Sequence, residues 1–131
     1  MRLWHQSLIP YLPKQQLLGQ HRECAALRGK GWGKKHSIVD YVFTYDPAYL
    51  VAYHFLVMNE MKKRRYHPDQ IWYQINYRGK ELGFQDNWID EDIFLKLFDI
   101  NKIIYPEHND EYLKECLDNL KNKGIIIDMA E

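Results

Sequence analysis

Asp46-Pro47-Ala48-Tyr49-Leu50-Val51-Ala52-Tyr53-His54-Phe55-Leu56-Val57-Met58-Asn59-Glu60-Met61-Lys62-Lys63-Arg64-Arg65 reads as one helix from end to end. Asp46 is a good N-cap, and Pro47 suits the first helical position, where an amide has no partner to lose. From Leu50 to Met58 the residues are apolar nearly all round, which predicts a central helix packed on several sides. The run ends in four cations, where the helix dipole favours positive charge, and His67-Pro68-Asp69 breaks it. A helix buried on all sides needs other helices around it.

The flanking sequence supplies them. A helix is expected from Pro13 to about Arg28, ending at Gly29. The segment 29–35, Gly-Lys-Gly-Trp-Gly-Lys-Lys, is a loop, since its three glycines will not sustain a helix. A short helix follows Asp90, running from Glu91 to about Asp99. In the last helix Tyr112, Leu113, Cys116, Leu117 and Leu120 keep helical spacing until Gly124. Residues 70–89 carry no clear period, and Ile125–Ile127 reads either as a short strand or as a packed tail. The expected fold class is all-α: a compact single-domain bundle of about four helices with long connecting loops, spanning residues 1–131.

The length of 131 residues suits one domain, large enough to hold a core without disulfide or metal. No run approaches the ~20 apolar residues of a membrane span, and the N-terminus lacks an export signal, so a cytoplasmic location with Cys24 and Cys116 as free thiols is expected. The net charge is zero, but unevenly spread. Residues 1–36 hold seven Lys/Arg and one acid, whereas residues 85–131 hold five Lys/Arg and twelve acids. A basic N-terminal third can steer a polyanion despite overall neutrality.

That basic third contains one carboxylate, Glu23. On the first helix it shares a side with Gln16, Gly19, Gln20, Ala26 and Leu27. Gly19 and Ala26 lie one turn away on either side and leave open space above it. A mid-helix glycine costs roughly 1 kcal/mol relative to alanine. Either a close helix–helix crossing, the favoured reading, or a ligand reaching the helix beside Glu23 would offset that. Arg22 and Arg28 then either hold phosphates near the site or are merely solvated. Lys30, Lys34, Lys35 and His36 around Trp32 suit backbone-phosphate contacts with a stacking aromatic, or a solvated turn. The glycine loop is not a phosphate-binding P-loop: the spacing from Gly29 to Gly33 is one short, and no Ser or Thr follows the lysine. His21 and Cys24 have metal-ligand spacing and Cys116 could be a third ligand, but a fourth is lacking, so no metal site is assigned. His54 is expected to be a hydrogen-bonded core histidine.

Met1-Arg2-Leu3-Trp4, then a helix with Leu17-Leu18 and His21-Arg22-Glu23-Cys24, then the basic loop ending Lys34-Lys35-His36, resembles the pyrimidine-dimer DNA glycosylases of the phage endonuclease type. It is closer still to a group of short bacterial proteins similar to that family. The final helix, with Glu111-Tyr112-Leu113-Lys114-Glu115-Cys116-Leu117, is similar to that bacterial group too. The resemblance implies an all-α fold and a DNA-repair glycosylase with associated lyase activity, needing no metal or organic cofactor. In that chemistry the N-terminal α-amine attacks the deoxyribose C1′ to give an imine, a helix glutamate matching Glu23 assists, and β-elimination cuts the strand. Bulky Arg2 retains the initiator methionine, so the amine is that of Met1. Arg2 and Arg22 match positions tied to phosphate and site geometry. Ala26 stands where the family has a further basic residue, and the phage enzyme's aromatic, basic C-terminus is absent.

The pKa logic suits this chemistry. An α-amine near pKa 7.7–8.0 is about one-third neutral at pH 7.5, whereas an ordinary lysine is about 0.1% neutral. The expected partner is damaged or abasic double-stranded DNA, bound by a monomer associated with the nucleoid. The rival readings are a non-catalytic nucleic-acid-binding protein on the same scaffold and a small interaction protein whose acidic C-terminal third binds a basic partner.

Overall fold

The computed structural model describes residues 2–35, 38–98 and 102–129. Four α-helices lie within them: α1 (Lys14–Arg28), α2 (Ala48–Lys63), α3 (Glu91–Leu97) and α4 (Asp110–Asn122). Three short 3-10 turns, Gln6–Tyr11, Asp40–Thr44 and Gln70–Tyr73, sit in the connections. Among the described residues there is no strand, only an isolated antiparallel bridge between Tyr77 and Phe84. The all-α expectation therefore holds.

α2 is the central helix. Leu50, Val51, Tyr53, His54, Val57 and Met58 are all fully buried, and they point to more than one side. It packs against α1, α3 and the first 3-10 turn. Each such large aliphatic side chain contributes roughly 1.5–3 kcal/mol by leaving water. Asp46 does start this helix, with Pro47 as the flanking residue. Its Oδ1 accepts the Ala48 N–H at 2.9 Å and also the Asp90 N–H at 3.0 Å. One carboxylate thus ties the start of α2 to the start of α3, whose own cap is Asp90. At the far end, Arg64 leaves the helix-end cation cluster. It pairs with Glu60 at 2.7 Å and donates to the Leu12 and Pro10 carbonyls, clamping the chain that leads into α1.

Two arginines organise the stretch that lacked a periodic signal. Arg28 on α1 donates to the carbonyls of Trp72, Gln74 and Tyr77 at 2.8–3.0 Å. Arg78 donates back to the carbonyls of Arg28 and Gly29 and stacks on Trp88 with 4.4 Å from guanidinium carbon to ring centroid. The stretch lacks a helical or strand period because the Arg28 side chain, rather than a ladder or a helix, takes up the Trp72 and Tyr77 carbonyls. α4 is amphipathic, with Asn109 as N-cap and Cys116 and Leu120 buried. Gly124, at φ +81°, turns the chain out of it. Ile125 and Ile127 resolve as a packed tail, with the Ile125 N–H bonded to the Leu120 carbonyl.

Candidate active site

The site forms where the start of the chain crosses α1. Leu3, fully buried, and Trp4, nearly so, pin this segment into the core, and three helices hold its backbone. From α1, Gln20 accepts the Trp4 N–H at 2.7 Å and donates to the Arg2 carbonyl at 2.9 Å. The hydroxyl of Tyr53, on α2, donates to the Trp4 carbonyl at 2.6 Å. The hydroxyl of Tyr112, on α4, donates to the Leu3 carbonyl. This segment is fastened at nearly every backbone group.

Glu23 lies at its end. Its Oε2 accepts the Arg2 backbone N–H at 3.3 Å and the Gln20 amide N–H at 3.1 Å. Both donors approach the same oxygen, which sets the carboxylate's orientation. A pocket of about 190 Å³ opens beside it, lined by Arg2, Trp4, Glu23, Ile38, Asn119 and Lys123. The Lys123 ammonium sits 5.4 Å from the Trp4 ring centroid, a cation–π distance. A larger cavity of about 430 Å³, lined by Ile9, Pro10, Leu56 and Ile103 among others, contains none of these residues.

Gly19 corrects the favoured expectation of a helix–helix crossing. Among the described residues a Cβ placed there meets only the Arg22 guanidinium, at 3.7 Å, and no neighbouring helix. Ala26 is exposed. Glu23 therefore stands between two low points on an open helix face, the arrangement a ligand would need.

The basic residues separate into distinct groups. Met1 and His36 lie outside the described residues. Arg22, Lys34 and Lys35 are exposed. Lys30 is exposed and pairs with Glu81 at 2.8 Å. Trp32 is half-buried, edge-on to Phe43 and Trp88, so the core already holds much of its surface. Arg2 is mostly enclosed: its side chain is 13% exposed, close to Cys116, Glu115 and the rings of Trp4 and Tyr112. Arg28 does not fit the expectation of a DNA contact. It is 0% exposed, burial lowers its pKa to about 10, and its terminal nitrogens serve protein carbonyls and His54 Nδ1. It remains charged at neutral pH and acts as an internal strut, because buried carbonyls claim a guanidinium before any phosphate can.

His54 is the core histidine its neighbours suggested. Arg28 donates to its Nδ1 at 3.0 Å, so the proton sits on Nε2, which donates to His21 Nδ1 at 2.7 Å. Burial, reinforced by the nearby Arg28 charge, holds the His54 pKa well below the usual imidazole range. Gln20, Tyr53, Tyr112, Asn119 and Lys123 were missed as parts of the site. Gln20, three residues before Glu23 on the same helix side, was within reach of the wheel; the α4 residues follow about a hundred positions later and carried no signal.

Fold and site together define an all-helical domain that brings a helix carboxylate, Arg2 and Trp4 into one pocket. A family model described as pyrimidine dimer DNA glycosylase matches residues 1–74, more than half the chain and the part that carries Arg2, Gln20, Glu23 and Tyr53. The chain belongs to that family, a family of DNA glycosylases whose substrate is DNA. No curated protein and no solved structure matches it. Among the described residues no helix is long and apolar enough to cross a membrane.

Proposed function

We propose that this protein is a DNA-repair glycosylase with associated strand-cleaving lyase activity, in which the Met1 α-amine is the nucleophile and Glu23 the acid–base group. The observation that carries this reading is the Glu23–Arg2 hydrogen bond. Glu23 holds the Arg2 amide nitrogen at 3.3 Å, and that nitrogen is three covalent bonds, less than about 4 Å, from the Met1 α-nitrogen. A nucleophile and its proton-transfer partner must both reach one sugar, and the anchoring of Arg2 on Glu23 supports that reading.

The neutral amine forms a bond to the deoxyribose C1′ as the C1′–base bond breaks, and the departing base takes a proton from Glu23 or solvent. The Met1 nitrogen then gives up one proton, the C1′–O4′ bond breaks and O4′ takes a proton, which opens the sugar ring and leaves a protonated imine between Met1 and C1′. Glu23, as a carboxylate, removes the C2′ proton, and the C3′–O bond breaks to release the downstream strand with a 5′-phosphate. Water then hydrolyses the imine and frees the amine. The 190 Å³ pocket, smaller than the roughly 300 Å³ of the smallest drug-sized pockets, suits a sugar rather than a whole nucleotide. The damaged nucleotide or its partner base has to leave the stack for the amine to reach C1′. Arg22, Lys34 and Lys35 are exposed and free of the buried carbonyls that occupy Arg28, which supports a role in meeting backbone phosphates of a damaged or abasic DNA.

Strand cleavage of an abasic duplex tests this. Glu23→Gln, which keeps the side-chain volume, should fold normally and lose about tenfold or more of the cleavage rate. Acetylating the chain terminus should abolish cleavage. Full activity in both would assign the cleavage to other groups and overturn the roles of Met1 and Glu23; no cleavage by the wild-type chain would leave a non-catalytic DNA-binding scaffold.

A further inference from the structure

The amide of Gln20 is 1% exposed. Its Oε1 accepts the Trp4 N–H at 2.7 Å and lies 2.9 Å from the Tyr53 hydroxyl, whose one proton is shared between Oε1 and the Trp4 carbonyl at 2.6 Å. Its Nε2 donates to the Arg2 carbonyl at 2.9 Å and to Glu23 Oε2 at 3.1 Å. A primary amide carries two hydrogens at nitrogen, and both are taken. The Trp4 N–H can only donate, so it decides which end of the amide is oxygen. The nitrogen then has to face Arg2 and Glu23. A carboxylate at this position would present oxygen to both, and an apolar side chain would present nothing.

Resting on the glycosylase reading, we infer that Gln20 is a positioning residue for the reaction. It fixes the distance between the nucleophile-bearing segment and the carboxylate by bridging the Arg2 carbonyl to Glu23 Oε2. It touches no substrate. It acts through Glu23 and through the backbone that leads to the amine, so its loss should slow the chemical step while leaving DNA affinity in place.

The test uses the full, untagged chain and an abasic duplex, with Gln6→Met as the comparison. Gln6 is a second buried amide, bonded to the Lys102 carbonyl at 2.9 Å and the Ile104 N–H at 2.8 Å, outside the network around Glu23. In Gln20→Met, kcat should fall about tenfold to a hundredfold, since a displacement near 1 Å can cost that much, while KM stays within about threefold. Gln6→Met should lower Tm comparably yet keep kcat within about threefold. Gln20→Glu guards against a misfolded methionine variant, because its oxygens can still accept from Trp4. It sets a second carboxylate against Glu23, so its deficit relative to wild type should be about tenfold or more at pH 8.5 and shrink towards pH 5.5, as the pair takes up a proton. A wild-type kcat in either Gln20 variant overturns the inference, as does an equal loss of kcat in Gln6→Met. A wild-type chain that neither cleaves the duplex nor is trapped on it by borohydride overturns the glycosylase reading itself, and the inference with it.

Discussion

Gly19→Ala should make this protein more stable, and the reason is specific to the open face beside Glu23. Glycine at a mid-helix position costs roughly 0.8–1.0 kcal/mol relative to alanine, and nothing in the fold requires the smaller residue here. Among the described residues the added Cβ would meet only the Arg22 guanidinium at 3.7 Å, an ordinary contact with the end of a flexible side chain. The propensity gain should therefore appear nearly in full. With an unfolding entropy of about 2.1 cal/mol/K per residue over 131 residues, 1 kcal/mol shifts Tm by about 3–4 °C. The new methyl tilts towards the helix N-terminus, away from Glu23, so cleavage should stay within about threefold of wild type. Thermal unfolding followed by circular dichroism, with urea melts to separate stability from altered compactness, reads the first part. An unchanged or lowered Tm would refute the argument, because it would mean that Gly19 is packed closely against something.

Ala26→Leu is the opposite case. A longer side chain there leans back over the turn that carries Glu23, so stability should change by about 0.5 kcal/mol or less while cleavage falls about tenfold or more, as read by melts and duplex nicking. Arg28→Met strips the donors from the Trp72 and Tyr77 carbonyls and from His54 Nδ1 and should lower unfolding free energy by about 2–5 kcal/mol in urea titrations, while the salt dependence of DNA binding by the folded protein keeps its slope. Acid should destabilise the fold through His108, whose pKa burial lowers to about 3. Both states are neutral above pH 6.5; below it the unfolded chain binds a proton that the folded one refuses, so stability falls between pH 6.5 and 3, by about 3 kcal/mol at pH 4.5. Equal urea midpoints for wild type and His108→Gln across that window would contradict the assignment.

The sequence made α2 and α4 legible because their side chains carry the helical period and their ends carry stop and start signals: Asp46 with Pro47 for α2, and Gly124 for α4. Glu23 stood out differently, as the lone carboxylate of a basic segment. Other features depended on partners far along the chain. The purpose of Gly19 could not be read from its neighbours in sequence, because an open face and a tight helix crossing use the same residue. Arg28 looked like one more cation in a basic segment until the Trp72, Gln74 and Tyr77 carbonyls closed around it. Those carbonyls belong to a stretch without periodicity, held together by side chains rather than by a backbone ladder. Tyr112, Asn119 and Lys123 reach the site only because α4 folds back onto the start of the chain. Their spacing along α4 reports the helix and nothing about its destination.

The most direct test of the account is to map the covalent adduct. Untagged protein is incubated with abasic-site DNA, reduced with borohydride and digested, and the DNA-bearing peptide is identified by mass. The account requires the modification on the α-nitrogen of the peptide that begins at Met1, and its disappearance when that amine is acetylated. A reduced bond on Lys123 or any other lysine, with the chain terminus unmodified, would contradict it.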